Sequence, residues 1–238
     1  MYITAKNILS KVKLDSYDTI KRLEIKAFEL NINMDYSKLA AEESVARTAE
    51  ALGKKGIEAI VVNAGAEALQ KIKELIPKGA SVMAGSSRTL EQIGFVEYLQ
   101  SGNHGWNNLK AGILAEKDPA KRDLLRKQSV ICDYYLGSLH ALSETGEFVV
   151  ASASGSQLPY LVYTSPNIIL VSSTKKIVPS VAEAFNRVEK YVFPLEDQRM
   201  KASGAAGSNM AKEVLFREEP SWSGRKFRII LVKEDLGF

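Results

Sequence analysis

Residues 143–159, SETGEFVVASASGSQLP, gather the side chains with the widest chemical range in this 238-residue chain. Glu144 stands with Thr145 and Gly146 in a short polar turn between two apolar runs, and Ser154, Gly155, Ser156 and Gln157 follow after one strand's length. A carboxylate so placed can serve as a general base, or as a nucleophile that is transiently acylated where water is excluded. It can equally hold its own turn by accepting backbone N–H bonds. Gln157 offers an amide donor and acceptor side by side. His140 lies four residues before Glu144, which would bring imidazole and carboxylate together on a helix as an acid/base couple. The alternative for His140 is a hydrogen-bonded structural role, and no positioned serine or cysteine completes a triad.

A second concentration of polar groups, AGSSRTLEQIG over residues 84–94, joins an apolar run to a helical pattern. Ligands of open α/β sheets sit beyond the carboxyl ends of strands, where the next helix presents unpaired N–H groups. Gly85, Ser86, Ser87 and Thr89 suit a phosphate or carboxylate there. The competing reading is a plain helix start with Ser87 as N-cap, and the segment lacks the glycine density of a P-loop. Lys175 and Lys176, just after the apolar run NIILVS, add positive charge at the same edge, or form a solvated turn.

The composition narrows the chemistry. With one cysteine, Cys132, the chain has no internal disulfide and lacks the four thiolates of an iron–sulfur cluster, so none is expected and any other cofactor is left open. His104 and His140 are the only histidines and have no acid or thiol at metal-ligand spacing, so no protein metal site is expected. The net charge of +4, from 32 basic and 28 acidic residues, is spread without a dense basic run, which speaks against nucleic acid and leaves room for an anionic metabolite. No stretch reaches the ~18 apolar residues of a membrane span, and the first residues have no apolar signal region, so a cytoplasmic chain is expected.

Hydrophobic periodicity sets the framework that would hold these residues. A helical pattern from Tyr36, with Leu39, Val45, Ala49 and Leu52, stops at Gly53. IEAIVV (57–62) reads as a buried strand, Ala68, Leu69, Ile72 and Leu75 as a helix, ASVMA (80–84) as a strand, and Leu90, Ile93, Val96 and Leu99 as one further helix. A loop over 101–108 precedes a charged helix from Pro119 to about Val130. Later strands are predicted at 147–152, 167–172 and 227–232, with a helix at Val181, Phe185, Val188 and Val192 that Pro194 ends. Strands alternating with helices imply an α/β fold: a Rossmann-like open, mainly parallel sheet with helices on both faces. Residues 1–35 are expected to form a helical arm and 36–238 a single α/β domain.

Five segments in order resemble the LUD-domain family, proteins associated with lactate utilization. They are SSRTLEQIG (86–94), DYYLGSLHALSETGEFVVAS (133–152), GSQLP (155–159), KKIVPSVAEAFNRVEKYVFPLED (175–197) and the closing VKEDLGF. The resemblance implies a fold similar to glucosamine-6-phosphate isomerase, ribose-5-phosphate isomerase and the CoA transferases, whose Gly-Ser-Thr loop matches residues 85–89. It also implies that Glu144, in Ser143-Glu144-Thr145-Gly146, stands where one branch of CoA transferases carries an acyl-accepting glutamate. It implies a cluster-free accessory component that binds a small anionic metabolite or cofactor at Gly85, Ser86, Ser87, Thr89, Thr145, Gly146, Ser154, Gly155, Ser156 and Gln157. Alternatives are a CoA-transferase-like or sugar-phosphate-isomerase-like enzyme using Glu144, and a scaffold for iron–sulfur oxidoreductase subunits. A homodimer is one option for its assembly.

Overall fold

Two apolar runs, NIILVSS and KFRIILV, have almost no polar interruption, and such strands are stable only when covered on both faces. They form the middle of a six-stranded sheet. The structure, a computed structural model, describes residues 34–238, so the expected arm lies, up to residue 33, outside the described residues. Strands β1 (Ile57–Val62), β2 (Ser81–Ala84), β3 (Asn107–Asn108), β4 (Tyr134–Gly137), β7 (Asn167–Ser173) and β10 (Lys226–Val232) pair in the order β1-β10-β7-β4-β2-β3, all parallel. The fold is therefore open-sheet α/β.

In-register pairing sorts the side chains into two faces. Ile57, Phe227, Ile229, Ile168, Leu170 and Tyr135 pack on one side against Val45 and Leu52 of helix α1 (Glu42–Lys54). On the other side Val62, Ile230, Ile169 and Leu136 meet Ala68 and Ile72 of α2 (Gly65–Leu75), Leu90 of α3 (Arg88–Gln92), and Phe95 and Leu99 of α4 (Phe95–Ser101). Helices α5 (Leu109–Ala115) and α6 (Pro119–Gln128) lie between β3 and β4.

A second, four-stranded sheet has the order β8-β5-β6-β9, from β5 (Ala141–Ser143), β6 (Phe148–Ser152), β8 (Ile177–Val178) and β9 (Lys212–Phe216). Leu142, Phe148 and Val150 join the first core, while Ala141, Val149 and Val178 turn to Ala184 of α7 (Val181–Arg187) and to Val188. Tyr36–Phe238 is one compact unit. Among the described residues no helix is long and apolar enough to cross a membrane.

Several local expectations are corrected. Helix α1 starts at Glu42 and runs past Gly53; the left-handed turn comes at Gly56 (φ 73°), whose missing side chain also lets the Glu219 carbonyl approach. The helix expected around Leu90–Leu99 is two, α3 and α4, broken where Gly94 adopts φ 77°. Pro194 does not end its helix: a π-type turn over Val188–Val192 widens the spiral just before it, and α8 (Phe193–Ala202) continues with the proline in its first turn, where its missing N–H costs little. The stretch around His140 is not helical but leads into β5, and extended chain puts residues four apart roughly 13 Å from each other, so the i,i+4 contact with Glu144 does not form. β4, β5, β8 and β9 escaped the periodicity because they are two to five residues long.

Gly56→Ala is expected to cost more than the roughly 1–2 kcal/mol of a left-handed alanine, since the added methyl meets the Glu219 backbone as well. Urea unfolding should show a lower midpoint with an unchanged slope.

Candidate functional site

All strands of the large sheet are parallel, so their carboxyl ends share one edge, and the segments leaving β2, β4, β7 and β10 converge there. The polar residues of that edge fall into two contiguous groups. The first surrounds Lys176, in a short 3-10 turn (Thr174–Lys176) after β7. Its Nζ is buried and donates to Ser138 Oγ (3.0 Å), Leu139 O (3.0 Å) and Thr89 Oγ1 (3.3 Å). Thr89 and Ser138 are themselves 3.3 Å apart. Gly237, in the tail after β10, closes over this group: a side chain there would strike Thr89 Oγ1 and come within 3.1 Å of Lys176 Nζ. The tail is held by Gly237 N–H on Gln92 Oε1 (2.6 Å) and by Lys175, which donates to Gly237 O (2.8 Å) and pairs with Asp235.

The second group lies four residues back along the β2–α3 loop. Gly85 has no side chain because the Tyr135 hydroxyl occupies that space, 2.5 Å from where a Cβ would stand, with Gln157 Oε1 at 3.6 Å. Gln157 Nε2 donates to Ala151 O (2.9 Å), which orients the amide oxygen toward Gly85. The Tyr135 hydroxyl is buried without a hydrogen-bond partner among the described residues.

The electrostatics of this edge are lopsided. No carboxylate among the described residues pairs with Lys176 or with Arg187, which is fully buried in α7. Arg187 Nη1 donates to His140 O, while Nε and Nη2 have no hydrogen-bond partner among the described residues. The guanidinium lies over the Tyr191 and Tyr36 rings at 5.1 and 6.0 Å. Burial, then the neighbouring Arg187 and Lys175 charges, depress the Lys176 ammonium well below its usual range. Burial takes Arg187 down to about 10. Burial, then Lys176 and Arg187, push the His140 imidazole down to about 3; neutral, its Nδ1 accepts from Ala151 N–H (3.1 Å).

The sequence-derived candidates divide. Gly85, Thr89 and Gln157 come together at the edge, as above. Ser86 is exposed at the rim, while Ser87 caps α3 by accepting Leu90 N–H (3.2 Å). Ser154, Gly155 and Ser156 form a turn closed by Ser154 Oγ on Ser156 Oγ (3.0 Å) and by Gly155 N–H on Ser152 Oγ (3.0 Å). Glu144 turns to α1: Ser44 Oγ donates to one carboxylate oxygen, and Arg47 to the other from Nη2 (2.9 Å) and Nε (3.3 Å). Burial opposes its charge, but the Ser44 and Arg47 bonds outweigh that and hold the carboxyl below its ordinary value. Thr145 bonds Ser143 and Glu147, and Gly146 (φ 91°) lets the turn press on the Ala51 backbone. Among the described residues the hydrogen bonds and ion pairs of this turn run to α1, to Lys55, to the Val178 carbonyl of β8 (2.8 Å) and to its own residues, and not to the 85–89 loop.

Ser138, Lys176, Arg187, Tyr135 and Gly237 were not among the candidates. For Lys176 the sequence left open positive charge at this edge or a solvated turn, and the signal that favours the first was its position directly after the apolar run NIILVS. His104 is structural, with Nδ1 accepting Trp106 N–H (2.9 Å) and Nε2 on Leu99 O (3.0 Å). Cys132 is buried against Ser165 Oγ (2.9 Å), and burial pushes its thiol up.

The family model described as LUD domain matches residues 45–230. Among solved structures the chain is similar to a DUF162 family protein from Deinococcus radiodurans, at 12% identity and TM-score 0.48, over 82% of this chain and 98% of that one. It is also similar to ribose 5 phosphate isomerase A from Neisseria gonorrhoeae, at 13% identity and TM-score 0.31, over 70% of this chain and 69% of that one. No curated protein matches.

Two titrations check the charges. His140, depressed when folded, binds protons more readily unfolded, so it removes stability as pH falls below the unfolded value of about 6.5. Its C2-proton NMR shift should stay that of neutral imidazole down to about pH 4.5. Glu144 is depressed too, so its bonds stabilise above the unfolded carboxyl value and fade in acid. Glu144→Gln should therefore lower stability by about 1 kcal/mol at pH 7, with the difference from wild type shrinking toward pH 3.

Proposed function

The chain belongs to the LUD-domain family, of lactate-utilization type, and from that premise we propose that it binds a small organic anion, a carboxylate or phosphate ester, at the carboxyl edge of its parallel sheet. The observation that carries this reading is Lys176: a buried ammonium with no carboxylate partner among the described residues, beside two hydroxyls. Burial without a counter-ion disfavours the charged form of Lys176, and an anion at the edge would restore it.

The hydrogen-bond directions support the same site. Lys176 donates to Thr89 Oγ1 and Ser138 Oγ, so each hydroxyl proton must point elsewhere. Ser138 is half-buried and within reach of the rim. Its O–H donates to Leu139 O (3.2 Å) in the unliganded chain and would turn from that carbonyl to the anion, polarised by the lysine behind it, and the partnerless Tyr135 hydroxyl beside Gly85 would donate as well. Ser86 would hold the outer end of the ligand, and Gln157 Oε1 would accept from a ligand hydroxyl. In this reading Glu144 anchors α1 and does not touch the ligand. The role is that of an accessory protein in organic-acid metabolism.

Thermal melting of the full chain against lactate, pyruvate, inorganic phosphate, sugar phosphates and CoA esters tests it. At about 100 times Kd a ligand adds about 2.7 kcal/mol, or roughly 5–10 °C for a chain of this size. Lys176→Met should abolish that shift in a chain that still folds by circular dichroism, its unliganded stability being the balance between removing a buried unpaired cation and losing the bonds to Leu139 O, Ser138 and Thr89. Ser138→Ala should weaken binding roughly ten- to a hundredfold, the loss of one bond to a charged group. A wild-type chain that responds to no anion, or a folded Lys176→Met chain that responds as well as wild type, would overturn the reading.

A further inference from the structure

The opposite edge of the large sheet, where its strands begin, carries large apolar side chains turned to solvent. Trp222 is 86% exposed, Tyr163 81%, Ile131 81% and Val162 51%. They belong to the segments entering β10, β7 and β4, which are neighbours in the sheet, with Lys226, Asn167 and Tyr134 in register. Trp222 and Tyr163 come four residues and Ile131 three before these registered residues, so all three lie on the segments at the strand-start edge.

Hydrogen bonds join the three segments into one surface. Arg225, beside Trp222, donates to the carbonyls of Tyr160 (3.2 Å), Leu161 (2.6 Å), Val162 (3.0 Å) and Ser165 (3.1 Å). Asn167 Nδ2 donates to Asp133 O (3.0 Å), tying the second segment to the one that holds Ile131.

The same edge has a recess next to this ridge. A cleft of about 310 Å³ between α5 and α6 is lined by Leu109, Ile113, Leu125 and, at its mouth, Ile131. A ridge and an apolar groove on one edge are what a two-fold interface requires, since each patch must meet its own copy. Area points the same way. Two aromatic side chains of about 150–250 Å² each, more than four-fifths exposed, supply roughly 250–400 Å² per copy before the aliphatic neighbours are added. Ile131, Val162 and the groove bring the patch toward the ~800 Å² per partner of a standard interface.

We propose that this edge is a two-fold interface between two copies of the chain, with Trp222 and Tyr163 of each seated against the α5/α6 cleft of the other. The candidate anion sites then face away from the interface, one on each outer side. Trp and Tyr at the centre of such a patch carry most of the binding energy.

Sedimentation velocity on the full chain from about 1 to 100 μM spans the affinities of weak and standard interfaces. A dimer is expected within that range. Trp222→Ser with Tyr163→Ser should weaken it at least tenfold while far-UV circular dichroism stays unchanged, and Ser86→Ala, at the other edge, should leave it intact. Trp222 is one of two tryptophans and Trp106 is buried, so a red shift of emission on dilution should accompany dissociation. A wild-type monomer at 100 μM, or a dimer that the folded double variant leaves unchanged, would overturn the interface.

Discussion

The three residues Ser138, Leu139 and His140 carry the chain from the large sheet to the small one, and two buried cations hold them. Lys176 reaches the Leu139 carbonyl and Arg187 the His140 carbonyl, so consecutive peptide groups are bound from β7's exit and from α7. Ala151 N–H bonds the His140 ring from β6. These bonds tie β7's exit and α7 to the linker between the sheets, and the two cations add to the burial that keeps His140 neutral. A carboxylate in place of either carbonyl would satisfy the cation and close the site to an outside anion.

The large sheet supplies the rigidity that this arrangement needs. β7 and β10 are covered by helices on one side and by α1 and the small sheet on the other, and their exits present Thr174–Lys176 and the Gly237 tail at fixed positions. Gly237 and Gly85 allow close approach at two points, one against Thr89 and Lys176, the other beside Tyr135. The Ser143–Gly146 turn works elsewhere, since Glu144 and Gly146 seat α1 on the molecule, through charge and through a backbone contact respectively.

Most of the large sheet was legible from residue order. NIILVS and FRIILV announce doubly covered strands because such continuous apolar runs need cover on both faces, whereas IEAIVV, read as buried, forms an edge strand with Glu58 and Val61 exposed. The helix of Ala68 and Ile72 was equally plain. Harder cases turned on local exceptions that periodicity does not see. Gly94 and Gly56 take left-handed conformations that relocate helix ends, and the π-turn before Pro194 lets a helix continue through a residue that usually stops it. β5 and β8 are too short to show a period and exist through their pairing, β8 on β5 and β5 on both β8 and β6.

Residue order alone was enough for the fold class, the family pattern and the edge of the sheet at which polar residues gather, because these depend on hydrophobic spacing and on chain direction. It also brought Gly85, Thr89 and Gln157 into consideration through their place after a strand. Which charges meet was left to the packing of the folded chain. Glu144 found Ser44 and Arg47, about a hundred residues away in sequence, while Lys176 and Arg187 found carbonyls and, among the described residues, no carboxylate. Burial and counter-ions are properties of a packed interior, and no spacing along the chain states them.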